Sequence, residues 1–141
     1  MTGTIRTLDP DMKKEIHDRI RRTAENIALS AGATAEVSIT GDLPVTYNNP
    51  ELAERMRPSV ERVVGKENLE NAAVHTGGED FAYYAEQVPG LFIFLGTRPP
   101  DLAPDIIITG HSPTFFVDEN ALIYGVRAMA SMTVDYLVGD K

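Results

Sequence analysis

The chain has 141 residues, 43% hydrophobic and 24% charged, which fits a soluble globular protein with one sizeable core, or two small lobes, and excludes a low-complexity or disordered chain. Thirteen basic against twenty-one acidic side chains give a net charge of -8, a balance that repels phosphate backbones and anionic lipid and argues against nucleic-acid and membrane partners. No cysteine is present, so disulfides and thiolate ligands are excluded, and the longest apolar run, Leu91 to Leu95, falls far short of the ~20 residues of a membrane span. A cytoplasmic setting is expected.

Residues 3–8 are β-branched and alternating, which predicts a strand near the start of the chain. A strand beginning there points to a cut inside a domain. Asp9, Pro10 and Asp11 then supply a cap, a proline suited to the first helical position and an early acidic charge. Met12, Ile16, Ile20, Ala24, Ile27 and Ala28 recur at helical spacing, and Gly32 is placed to end the helix near Ala31. The basic cluster Arg19, Arg21 and Arg22 is interleaved with acids and reads as a solvated face; His17 belongs to the same wet side.

A second strand is predicted over 34–40, with Ala35, Val37 and Ile39 on one face and extended chain continuing to Tyr47. The first 47 residues thus read as β-α-β. Two strands and a helix are too little for an independent sheet, so a partner surface is required. Asn48, Asn49, Pro50 and Glu51 repeat the cap pattern, and a lobe boundary is expected between Tyr47 and Pro50. Leu52, Met56, Val60, Val63 and Val64 form a buried stripe; Pro58 should kink or split this helix, and Gly65 should close it.

A short helix from Glu79 to about Gln87 emerges from Gly77 and Gly78. After a turn at Pro89 and Gly90, the run 91–95 suits a strand covered on both faces. Residues 96–105 are a proline-rich loop, and 106–108 form either a brief strand or an apolar anchor. Asp118 should cap a long final helix whose packing face carries Leu122, Val126, Met129, Ala130, Thr133 and Leu137.

The residues able to carry chemistry are few. His111, between Gly110 and Ser112-Pro113, stands outside any core stripe on a stiffened turn, which suits either a metal ligand or a surface histidine. Gly77, Gly78, Glu79 and Asp80 put free backbone N–H groups and two carboxylates at a helix start, serving a substrate oxygen or merely the helix dipole. His75 lies close by in sequence without a second signal. A hydrolytic zinc needs three protein ligands and an open position for water, more than three scattered histidines obviously supply. No serine-nucleophile elbow, P-loop or dinucleotide fingerprint is present.

Four ordered segments carry a resemblance: GTIRTLDPDM from Gly3, GEDFAYY from Gly78, VPGLFIFLG from Val88 and HSPTFFVDE from His111. In this order and spacing the chain resembles the C-terminal part of the metal-dependent amidohydrolases and peptidases that include hippurate hydrolase, N-acyl-amino-acid amidohydrolases, aminoacylase and plant auxin-conjugate hydrolases. The resemblance implies an α/β fold in two parts. Residues 1–47 would be the second half of a ferredoxin-like lid and dimerisation domain, and 48–141 the closing segment of a two-metal catalytic domain. It also implies two divalent ions (zinc or manganese), a small N-acyl amino acid substrate and a homodimer or other self-association.

By the same resemblance His111 is the last metal ligand, and Gly78, Glu79 and Asp80 line the substrate edge or the shell behind the ligands. The role of His75 stays open. The Glu-Glu pair that provides the family's general base, its middle histidine and its early His-Asp ligand motif are absent here, so no catalytic residue is assigned and the chain alone is expected to be inactive. The alternatives are a non-catalytic fragment and a dimerisation or binding module.

Overall fold

Asp9 opens the first helix as its spacing requires: the carboxylate accepts from the Met12 amide, and Pro10 begins α1, Pro10–Ser30. Its end is a Schellman turn, with the Ala33 amide donating to Ala28, the Gly32 amide to Leu29, and Gly32 at φ 68°. Asn49 caps α2, Pro50–Val64, through the Leu52 amide at 2.9 Å, and Gly65 at φ 84° closes it. Of the kink or split expected at Pro58, the split does not occur; α2 runs through it as one helix. Helix α3 is reduced to Phe81–Ala85, and Asp118 opens a 3-10 turn, Glu119–Ala121, that leads into α4, Leu122–Val138.

These elements belong to a computed structural model that describes residues 1–103, 105–106, 108 and 110–139. The apolar triplet expected at 106–108, the last proline of the loop before it and the residue ahead of Gly110 therefore fall partly outside the described residues. Two compact units emerge: Met1–Asn48 with Ala73–Phe92, and Asn49–Ala72 with Ile93–Lys141. No helix among the described residues is long and apolar enough to cross a membrane.

The α/β expectation needs correction. Among the described residues the regular structure is entirely helical, and neither the two segments of the β-α-β nor the run 91–95 is a strand. The alternation nevertheless survives. Ile5 and Thr7 turn inward while Thr4, Arg6 and Leu8 stay exposed, and Ala35, Val37 and Ile39 turn inward between Glu36, Ser38 and Thr40. An extended backbone alone sets this two-residue period, whereas a strand also needs a neighbour that pairs along its edge. Among the described residues no backbone ladder supplies one. At 92 a side chain stands in for it: the Asn48 amide donates to the Phe92 carbonyl at 2.8 Å, and the Phe92 amide donates back to Asn48 Oδ1 at 2.7 Å.

In the first unit the covered side of α1 carries Lys13, Ile16, His17, Arg21, Ala24 and Ala28, while Met12, Ile20 and Ile27 are exposed. The expected stripe has rotated by about one position, because the Lys13 ammonium bonds Asp42 and, at 3.2 Å, the Leu43 carbonyl. Long cationic stems can cover apolar surface in this way. His17 is half-buried rather than solvent-facing.

In the second unit α2 packs on α4. Met56, Ser59 and Val60 are buried on one side and Ala128 on the other, as the α2 stripe predicts. Helix α4 meets them with the opposite face from the one expected. Gly125, Ala128, Ser131, Met132 and Asp135 are covered, whereas Leu122, Val126, Met129, Ala130, Thr133 and Leu137 are exposed, Leu137 by 77%. A helix that is apolar nearly all round gives periodicity no face to select. Small residues and one carboxylate make the choice: a Cβ at Gly125 would come within 2.9 Å of Leu95 Cδ2, and Asp135 accepts from Ser59 Oγ at 2.5 Å and from Arg62.

Those two hydrogen bonds, with the Arg62 charge, hold the Asp135 carboxyl below its usual range, and partial burial opposes them. The folded group therefore titrates below the unfolded one, whose pKa is about 3.9. Its stabilisation is complete above that value and is lost as the pH falls through the folded pKa. In Ser59→Ala the Asp135 titration followed by carboxyl NMR should move up, and acid unfolding should begin at higher pH. An unchanged titration would show that Ser59 does not set it.

Candidate functional site

The Gly77-Gly78-Glu79-Asp80 turn lies in the first unit, where Arg6 Nη1 donates to the Thr76 carbonyl at 2.8 Å across 70 residues of sequence. His75 folds over the first glycine, its Nδ1 accepting from the Gly77 amide at 3.0 Å. A Cβ on Gly77 would lie 2.8 Å from that imidazole nitrogen, so the position favours glycine. The ring is thus used in shaping the turn. Gly78 faces Leu43: a Cβ there would lie 2.7 Å from Leu43 Cδ2 and 3.8 Å from Arg6 Nη1.

Glu79 is half-buried and Asp80 exposed, and their carbonyls accept from the Ala82 and Tyr83 amides as α3 begins. Asp80 makes no side-chain cap, and a five-residue helix brings only a small dipole to a bound anion. What holds the turn is packing below it. Ala82 is fully buried, Gly90 folds back against Ala85 and Phe81, and the Phe81 ring lies 5.5 Å from Phe92 and 6.5 Å from Tyr84.

The segment under Gly78 is fixed to α1. Asp42 pairs with Lys13, and its carbonyl accepts from Tyr83 Oη at 3.4 Å. The Lys13 hydrogen bond and charge hold the Asp42 carboxyl below its usual range, with a smaller contribution from His17. The sequence pattern did not single out Arg6, Lys13, Asp42 or Tyr83. Their only sequence signal was proximity to the two glycines once folded, which no local period reports.

His111 lies in the second unit, exposed on a turn. The next residues brace that turn: Ser112 Oγ and Thr114 Oγ1 are 2.8 Å apart, Ser112 Oγ also accepts from the Thr114 amide, and the Phe115 amide donates to the Ser112 carbonyl. An exposed imidazole on a braced turn fits a single metal donor. Among the described residues no group of three histidine or carboxylate side chains converges to complete a metal site. His111 belongs to one unit and Gly78, Glu79 and Asp80 to the other, so neither unit by itself brings them together.

Residues 4–135 match the peptidase family M20/M25/M40. The chain is 35% identical over 140 residues to thermostable carboxypeptidase 2 of Saccharolobus solfataricus, covering 96% of this chain and 34% of that one. It is 32% identical over 134 residues to the N-acetylcysteine deacetylase of Bacillus subtilis, covering 95% and 33%. It is also 32% identical over 127 residues to the IAA-amino acid hydrolase ILR1-like 2 of Arabidopsis thaliana, covering 87% and 28%. The chain thus spans about a third of the length of these relatives. No solved structure matches it at a significant level.

Replacing Lys13 by Met removes the group that lowers the Asp42 pKa, so Asp42 should titrate at a higher pH, toward about 3.9. The carboxyl is well exposed, which limits the effect on stability. NMR titration of Asp42, together with the Leu43 methyl shift, would report both the lost pair and the loosened contact with Gly78. An unmoved titration would mean that Lys13 is not the controlling charge.

Proposed function

The chain belongs to the peptidase family M20/M25/M40, and from that membership we propose that it forms the C-terminal portion of a metal-dependent amidohydrolase acting on N-acyl amino acids or similar small amides. The observation that carries this reading is the match over residues 4–135, together with the similarity to a carboxypeptidase, a deacetylase and an IAA-amino acid hydrolase about three times as long. In this reading residues 1–47 are the second half of a lid and dimerisation domain, and 48–141 close the catalytic domain. A cytoplasmic setting goes with it.

Hydrolysis of an amide needs an activated water, a base to take its proton and donors for the oxyanion. Two divalent ions, zinc or manganese, would lower the pKa of that water when bound. His111 contributes one donor to them. Gly78, packed on Leu43, contributes backbone at the edge of the cleft, and Glu79 and Asp80 orient groups there. No base is assigned to this chain, which by itself is inactive in this reading.

Calorimetric titration with zinc tests the donor role. Binding should weaken at least about tenfold in His111→Ala, because losing even a group that only orients a ligand costs that much. Equal binding in both proteins, or none in either, would remove His111 from the site. Turnover of N-acetyl amino acids by the chain with zinc or manganese would show that no further ligands are needed, against this reading.

One observation favours a second property, self-association. Leu122, Val126, Ala130, Val134 and Val138 form a four-residue-spaced exposed stripe on α4, Val126 by 66% and Val138 by 58%. The stripe is symmetric about Ala130: an antiparallel copy would set Leu122 against Val138 and Val126 against Val134, with the alanines at the closest approach. Sedimentation should detect a dimer that Val126→Glu converts to monomer. A wild-type chain that stays monomeric at high concentration would sink the idea.

A further inference from the structure

The segment that carries His111 is tied at both ends to two adjacent residues. At its far end the Asp118 amide donates to the Thr97 carbonyl at 2.8 Å. At its near end the Arg98 guanidinium donates to three carbonyls: Ile106 at 2.7 Å from Nη1, and Ala103 at 2.6 Å and Leu102 at 3.2 Å from Nη2. Two turns tighten the same stretch, the Leu102 amide donating to Pro99 and the Ile106 amide to Ala103.

A planar guanidinium is suited to this. It offers several donors in a fixed fork, so one side chain can hold several carbonyls without a new ordering cost for each. Without Arg98 the stretch between the tied residues Thr97 and Asp118 would be twenty residues, 98–117; anchoring Ile106 to Arg98 leaves eleven, 107–117. The turn bonds at Ser112 lie within those eleven and act locally, so they set the shape of the turn but not where it stands.

We propose that Arg98 is the positioning residue for His111, holding the near end of the 99–117 segment so that the imidazole is presented at a defined place. The consequence for metal binding rests on the reading of His111 as a donor; the hold on the segment does not. Arg98 itself touches no reacting group in this proposal. Its donors are spent on the backbone.

Two measurements on the full chain separate these points. Amide hydrogen exchange should show protection at Leu102 and Ile106 that falls in Arg98→Met and is partly restored in Arg98→Lys, which keeps the charge and donors but not the fork. Line broadening of the His111 imidazole by manganese, followed by NMR, should require about tenfold more metal in Arg98→Met than in wild type, with Arg98→Lys between them. Unchanged exchange in Arg98→Met overturns the proposal outright. Lost protection with unchanged broadening reduces Arg98 to a structural role and also overturns it. If manganese leaves the wild-type imidazole untouched, the donor reading of His111 fails instead, and exchange alone decides whether Arg98 holds the segment.

Discussion

An extended segment becomes a strand only when a neighbour donates and accepts along its edge, and this constraint governs how the first unit is held. The segments around Ile5 and Val37 keep the inward and outward alternation of strands, since that requires only an extended backbone. The unit is held by side chains that span the gaps instead. Arg6 bonds the Thr76 carbonyl, Lys13 bonds Asp42 and the Leu43 carbonyl, and Asn48 serves Phe92 in both directions. All are exposed polar contacts, and such contacts contribute little each.

The second unit rests on different physics. Helices α2 and α4 bury Met56, Val60 and Ala128, with Ser59 buried to 2% exposure and its hydroxyl spent on Asp135. Leaving Ser59 without that acceptor would expose the cost of an unmade buried hydrogen bond. Arg62 reaches both Ser131 and Asp135, and Arg55 reaches the Tyr136 carbonyl while lying over its ring at 4.8 Å. Polar contacts line the seam and fix its rotation. The more apolar face of α4 is left outside, which is the main reason for expecting a covering surface.

The two turns that carry the candidate site residues share a design. Each is shaped by its own neighbours, His75 on Gly77 in one and Ser112 with Thr114 in the other, and an arginine binds backbone carbonyls in the chain ahead of each, Arg6 on Thr76 and Arg98 on Leu102, Ala103 and Ile106. Arginine suits that task because its charge persists and its donors are geometrically fixed. Neither arginine could be singled out beforehand. Arg6 sat on the outward face of an alternating segment and Arg98 in a loop whose composition signalled only turns.

The local signals were legible from the residues alone. Asp9 and Asn49 as caps, Gly32 and Gly65 as terminators, the α2 stripe and the Asp118 start are decided within one or two turns of chain by hydrogen bonds that the sequence dictates. Family membership was legible too, because the four segments keep their order and spacing. Tertiary structure alone decided which face of α4 is covered, since a nearly all-apolar helix has no preferred side until Gly125, Ala128 and Asp135 meet their partners. It alone decided that the alternating segments stay unladdered, because pairing depends on a neighbouring edge and not on the segment itself. Glu79, Asp80 and His111 were legible as residue types in turns; the ties from Arg6 to Thr76 and from Asp118 to Thr97 join residues distant in sequence, and the Arg98 fork is a loop contact without periodicity, so no local pattern encodes them.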